Sequence, residues 1–229
     1  MAREHAVIFS ENLPIPFDAF TFEGFQSWVE SGEFPDTGRV DFLAGEVETE
    51  MSPEDLYTHS VVKTAITSML HVLIAEQDRG EIYSDSTRII SPSAGLSVEP
   101  DVVVALWESF ESGRIRLVPA ARKGPGRFLA VEGALDVIVE IVSDSSQKKD
   151  TERLPRLYAL AGVSELWLAD ARDREIRFTI LTLQEGRYIP VEQDADGWIL
   201  SPRLGGAFRL IRLLTRQNHW RYLLEHRKS

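Results

Sequence analysis

The spacing of apolar positions changes along the chain, and each change marks an element. After an irregular start, Phe20, Phe22, Phe25, Trp28 and Val29 fall on the stripe of a short helix that fades near Ser31-Gly32. Val40 to Leu43 and Val47 to Met51 are short strand-like runs around Ala44-Gly45-Glu46, which predicts a hairpin. Ser52-Pro53-Glu54-Asp55 offers an N-cap, a proline for the first helical position and acids for the first turn. In the helix that follows, Val62, Ile66, Met69, Leu70 and Leu73 share one stripe, and the helix should end by Gly80.

Beyond it the pattern turns to strands. Glu81 to Ile90 reads as one strand, and Ser91-Pro92-Ser93-Ala94-Gly95 as a turn. Asp101 to Leu106 and Asp136 to Val142 are runs of β-branched residues suited to strands covered on both faces. Residues 119–134 read as a mildly basic loop. A polar stretch from Ser143 to Asp150 leads to a helix ending near Ala161-Gly162, and Glu165 to Ala169 and Arg177 to Leu183 are two more strands. The expected class is α/β, or α+β: a mixed central β-sheet flanked by helices. No repeat, low-complexity tract or long linker divides the chain, so one domain over 1–229 is expected, with a helical extension at 1–34 and a distinct segment at 201–229.

At 229 residues the chain can bury roughly 70% of its unfolded surface without staples. It contains no cysteine, which excludes disulfides, thiol catalysis and Cys-based zinc sites and agrees with a reducing cytoplasm. The apolar run Ala6 to Phe9 is too short for a secretory signal, and no run suits a membrane span, so a soluble cytoplasmic protein is expected. The net charge of −11 argues against a general nucleic-acid coat. From Ser201 to Ser229, however, seven Lys/Arg face one acid, so this segment carries +6 and the remainder −17. As a closing element or dimer contact it would be structural; as a DNA contact it would be functional.

The chemistry begins with carboxylates in apolar surroundings. Glu140 is centred in Asp136-Val-Ile-Val-Glu-Ile-Val142, where an ionised carboxylate costs several kcal/mol unless paired or bound to a cation. Asp101 opens a second such run, and Glu46 lies on the hairpin. Acids on two central strands invite a metal, and oxygen ligands suit Mg²⁺ or Mn²⁺. No Gly-rich phosphate loop, His-Glu-x-x-His or Gly-x-Ser-x-Gly is present, so nucleotide kinases, zincins and serine hydrolases gain no support.

In one order, the chain carries Gly45-Glu46, Met51-Ser52-Pro53, His59, Pro100-Asp101-Val-Val-Val, Asp136-Val-Ile-Val-Glu140-Ile-Val-Ser143, Asp150, Tyr158, Gly162-Val-Ser-Glu-Leu-Trp-Leu168 and Asp170. Over about residues 35–185 this resembles the PD-(D/E)XK nuclease superfamily, in particular its bacterial restriction endonuclease family. The resemblance implies a restriction-endonuclease-like core, one or two divalent metals and hydrolysis of DNA phosphodiester bonds by an endonuclease. By position, Asp101 and Glu140 would be metal ligands with Glu46 as a third, and His59 and Asp150 would stand behind them.

One feature of that pattern is missing. The lysine two residues after the second acid is Val142 here, and the alternative lysine four residues after Asp150 is Leu154. The nearest cations are Lys148, Lys149 and Arg153, of which Lys149 and Arg153 are the catalytic candidates. Arginine can stabilise phosphate charge but transfers protons poorly. Absence of the lysine points to low or lost turnover. The rival reading is a non-catalytic homodimeric interaction or scaffold protein on a nuclease-derived fold.

Overall fold

The computed structural model describes residues 15–35, 38–50, 52–120 and 122–228; Ala6 to Phe9 and Met51 lie outside them. The first aromatic stripe forms α1 (Phe22–Val29), with Phe25, Trp28 and Val29 buried and the Thr21 hydroxyl accepting from Gly24 N at 3.1 Å. Strands β1 (Arg39–Leu43) and β2 (Glu46–Glu50) make the expected hairpin. Its turn is only Ala44-Gly45, at φ 50° and 96°, and Glu46 already pairs with Leu43. Two successive positive φ values define the turn type whose twist matches paired strands.

The following helix starts later than Ser52-Pro53 suggests. Asp55 is the cap: its Oδ1 accepts from Tyr57 N at 2.9 Å and Thr58 N at 2.7 Å. A π-helical turn, Leu56–Ser60, then runs into α2 (Val61–Glu76). Val62, Ile66, Leu70 and Leu73 are buried along the expected stripe.

The single strand expected over 81–90 is two, β3 (Gly80–Ser84) and β4 (Arg88–Ser91), in different sheets. Asp85 and Ser86 between them have φ 41° and 52°, a conformation that ends a strand. Next come β5 (Leu96–Val98), β6 (Val102–Leu106), α3 (Trp107–Glu111) and β7 (Ile115–Pro119). The loop expected over 119–134 is confined by β8 (Phe128–Gly133), which pairs with β7 and β4; the Gly124-Pro-Gly126 punctuation masked the apolar run behind it. Then follow β9 (Val137–Ile141), a π-helical turn (Lys149–Arg153), α4 (Leu154–Leu160), β10 (Glu165–Asp170), β11 (Arg177–Gln184) and β12 (Arg187–Pro190). The basic segment forms β13 (Ile199–Ser201), β14 (Gly206–Leu214) and β15 (Trp220–Lys228).

The flanked mixed sheet is present in doubled form. One six-stranded sheet has the order β2-β1-β5-β4-β8-β7, and the other β12-β11-β10-β9-β6-β3; a three-stranded sheet, β13-β14-β15, completes the molecule. Each large sheet mixes antiparallel pairs with one parallel pair, β4 with β8 and β9 with β10. Every residue of β6 and β9 is buried. Phe208, Leu210, Tyr222 and Leu224 of the C-terminal strands join α2, β6 and β9 in one core, so this segment closes the fold. The chain passes between the large sheets after β2, after β3, after β5, after β6 and after β8, and Asp101 stands just beyond the third of these crossings.

Candidate metal and phosphate site

Asp101 is fixed by the crossing it ends. Its side chain is buried, and Oδ2 accepts from Ile141 N on β9 at 2.8 Å. Two cations and an imidazole surround the carboxylate: Arg39 from β1 at 3.2 Å, Lys63 from α2 at 3.5 Å and His59 Nε2 from the π-helical turn at 3.4 Å. Burial works to raise its pKa, but contact with His59 and the charges of Arg39, His59 and Lys63 hold it well below the usual carboxylate range. Lys63 also reaches Asp85 at 2.7 Å and Glu54 at 2.9 Å, so it ties the crossing after β3 to the one after β5.

Glu140 is the inner neighbour. Asp101 N donates to its Oε2 at 3.4 Å, and Tyr158 OH donates to its Oε1. Full burial, followed by the charges of Asp101 and Asp150, pushes this carboxyl well above its usual range. Asp150, on the turn before α4, is raised to about 7, first by burial and in part by Asp101. Ser146 donates to its Oδ2, whereas its Oδ1 is buried with no hydrogen-bond partner among the described residues.

A cavity of about 380 Å³ opens over these groups, and Arg39, Glu50, Glu54, His59, Asp101 and Asp150 line it. Ligand atoms of Glu54, His59 and Asp101 all lie within 4.8 Å of one another. His59 Nδ1 lies 3.0 Å from Glu54 Oε2 yet makes no hydrogen bond, because the two are not aligned as donor and acceptor. Two buried unpartnered atoms, His59 Nδ1 and Asp150 Oδ1, beside a carboxylate held ionised are a donor set that fits a divalent cation.

Residues 22–212 match the family Uma2, described as "Putative restriction endonuclease". The chain belongs to the Uma2 family. Its fold is similar to the crystal structure of a "putative nuclease belonging to DUF820" from Anabaena variabilis ATCC 29413, with TM-score 0.58, 16% identity and coverage of 80% of this chain and 90% of that one. Curated proteins give no match. The restriction-endonuclease-like architecture and the nuclease resemblance of the Uma2 chain therefore stand.

The Uma2 protein places the sequence candidates unevenly. Asp101 and Glu140 are adjacent, and His59 and Asp150 border the same cavity. Glu46 is elsewhere: it is exposed at the turn end of β2, bonded to Arg153 at 2.6 Å, four residues and roughly 13 Å of strand from Glu50. Arg153 spans Glu46 and Glu48 and does not line the cavity, while Lys149 is buried against Asp41 and Glu50, each at 3.4 Å. The side chain of Leu154 is core, packed in the cluster with Leu43, Val103 and Ile138, so the usual lysine position does not open on the site. The cation facing the cavity is Arg39. Glu46, Glu48 and Glu50 share one face of β2, so alternation alone does not single out Glu50. Lys63 follows His59 by one helical turn, a spacing that could have revealed it.

Proposed function

We propose that this cavity binds a divalent metal and a DNA phosphodiester, and that the protein is a metal-dependent endodeoxyribonuclease using Mg²⁺ or Mn²⁺. The observation that carries the reading is the convergence of Glu54, His59 and Asp101 beneath an open cavity, with Asp150 and its unpartnered oxygen in the same wall. Asp101, Glu54 and His59 would hold the ion, with Asp150 beside them. When bound, a divalent ion supplies positive charge and Lewis acidity at a phosphate oxygen. Arg39 gives a fixed guanidinium on the same wall, suited to two oxygens of the phosphate and kept charged by Asp101 and Asp41. Glu140 accepts from Tyr158 OH and from the backbone N of Asp101, which it anchors, a positioning role.

Asp101→Asn keeps the shape and removes the charge. Nicking of supercoiled plasmid DNA in Mg²⁺ or Mn²⁺ should fall by about 10²-fold or more, the scale on which single preorganised electrostatic groups act. The rise in melting temperature on adding metal should vanish with it. Equal metal-induced shifts in both proteins would remove Asp101 as a ligand. A wild-type chain that is stabilised by metal yet cuts no DNA would favour the scaffold reading, in line with the burial of Leu154.

A further inference from the structure

The basic C-terminal segment spends most of its charge internally. Arg203 is held by Asp136 at 2.5 Å and by Glu108, Arg209 by Glu225 at 2.6 Å, and Arg227 by Asp194 at 3.0 Å. Arg212 donates to the Asp173 carbonyl at 3.0 Å. Arg216 and Arg221, at the turn joining β14 to β15, differ: both are exposed and neither has a carboxylate partner among the described residues. With Tyr57, Gln217 and His219 they border a cleft of about 610 Å³.

The position of this cleft is what gives it meaning. The ring of His219 stacks on Tyr57 with centroids 4.7 Å apart and planes 17° from parallel, which pins the hairpin turn to the π-helical turn Leu56–Ser60. Thr58 and His59 of that same turn line the metal-site cavity. One turn of chain is thus the shared wall of two clefts. Two residues of chain span at most about 7 Å, whereas successive charges on one DNA strand advance about 3.4 Å along the axis. A strand that runs from the site along this shared wall carries another phosphate past Tyr57 within a few nucleotides.

We propose that Arg216 and Arg221 clamp the DNA backbone beside the scissile phosphate. The proposal rests on the nuclease reading and adds where the substrate is held. A chain of net charge −11 repels DNA over most of its surface, so affinity must come from a local cationic contact, and this cleft offers two arginines without carboxylate partners among the described residues, on a wall it shares with the site. The clamp is sequence-independent, because guanidinium contacts to phosphate position a duplex without reading its bases.

The experiment is fluorescence anisotropy of a labelled 20-base-pair duplex, roughly two helical turns, with the full chain in EDTA across a series of NaCl concentrations. The double variant Arg216→Gln/Arg221→Gln should bind more weakly, and its log–log salt slope should be shallower by about 1.8, near 0.9 for each phosphate that is no longer neutralised. Arg174→Gln/Arg187→Gln serves as a charge-matched control and should leave the slope unchanged. The melting temperature should stay at the wild-type value, since both tip arginines are exposed. An unchanged slope in the tip variant, while Asp101→Asn still abolishes cleavage, overturns the clamp and leaves the nuclease reading standing. A tip variant that changes the oligomeric mass and not the slope assigns the cleft to a second copy of the chain and also overturns it. If the wild type neither binds nor cuts DNA, both proposals fall.

Discussion

Arg39 and Lys63 both lie within 3.5 Å of Asp101, so its charge is compensated by the protein itself before any ion arrives. Glu140, one strand away, has no cation in contact among the described residues and lies fully buried against the Tyr158 hydroxyl, where burial pushes its carboxyl well above the usual range. This difference bears on how the absent lysine can be tested. Leu154 is 2% exposed and packed against apolar side chains, so Leu154→Lys would bury an ammonium with no partner. The expected result is a loss of about 3–5 kcal/mol in denaturant unfolding and no gain in cleavage per folded molecule. A gain in cleavage at wild-type stability would show that the side chain finds its way to the cavity. Asp101 and Glu140 were legible in the sequence because a carboxylate amid β-branched residues has few explanations. Arg39 and Glu54 were not, since a strand-edge arginine and an acid after proline look like ordinary surface until the two sheets bring them over Asp101.

At the scale of elements, what the sequence concealed is where the chain changes sheets. The apolar runs that became β6 and β9 are plain in composition, as are the stripe of α2 and the hairpin of β1 and β2. The break between β3 and β4 is not, because Asp85 and Ser86 carry no glycine or proline to announce their positive φ. That strain can be measured. Ser86→Gly should raise stability by about 0.5–1 kcal/mol: it relieves roughly 1–2 kcal/mol of left-handed backbone cost and gives back part of it in the entropy of the unfolded chain. Asp85 is a poorer target, since its carboxylate takes the Lys63 ammonium at 2.7 Å. A loss of stability in Ser86→Gly would mean that its side chain makes a contact that outweighs the backbone term.

For the molecule as a whole, the decisive packing is that of the C-terminal strands on α2. Charge and composition left this basic segment as a closing element, a dimer contact or a DNA contact; the alternation that buries Phe208, Leu210, Tyr222 and Leu224 was hidden by the arginines between them. Tyr222 tests that packing in two steps. Its ring is buried, but its hydroxyl has no hydrogen-bond partner among the described residues. Tyr222→Phe should therefore be more stable than the wild type by about 1 kcal/mol, while Tyr222→Ala should cost about 3–5 kcal/mol. If both substitutions destabilise alike, the hydroxyl is satisfied and the argument from the ring fails.

The same strands set a timetable. Tyr222 and Leu224 follow Asp150 by more than 70 residues, yet they complete the core on which α2, and with it His59 and Lys63, is seated. At about 5–20 residues per second, the growing chain carries all its cavity-lining acids for roughly 4–14 s before the strands that hold them in place have been made. During that interval α2 has β6 and β9 to pack on but lacks the strands that close its other side. On the proposed nuclease reading, the site is completed only after β14 and β15 have been made.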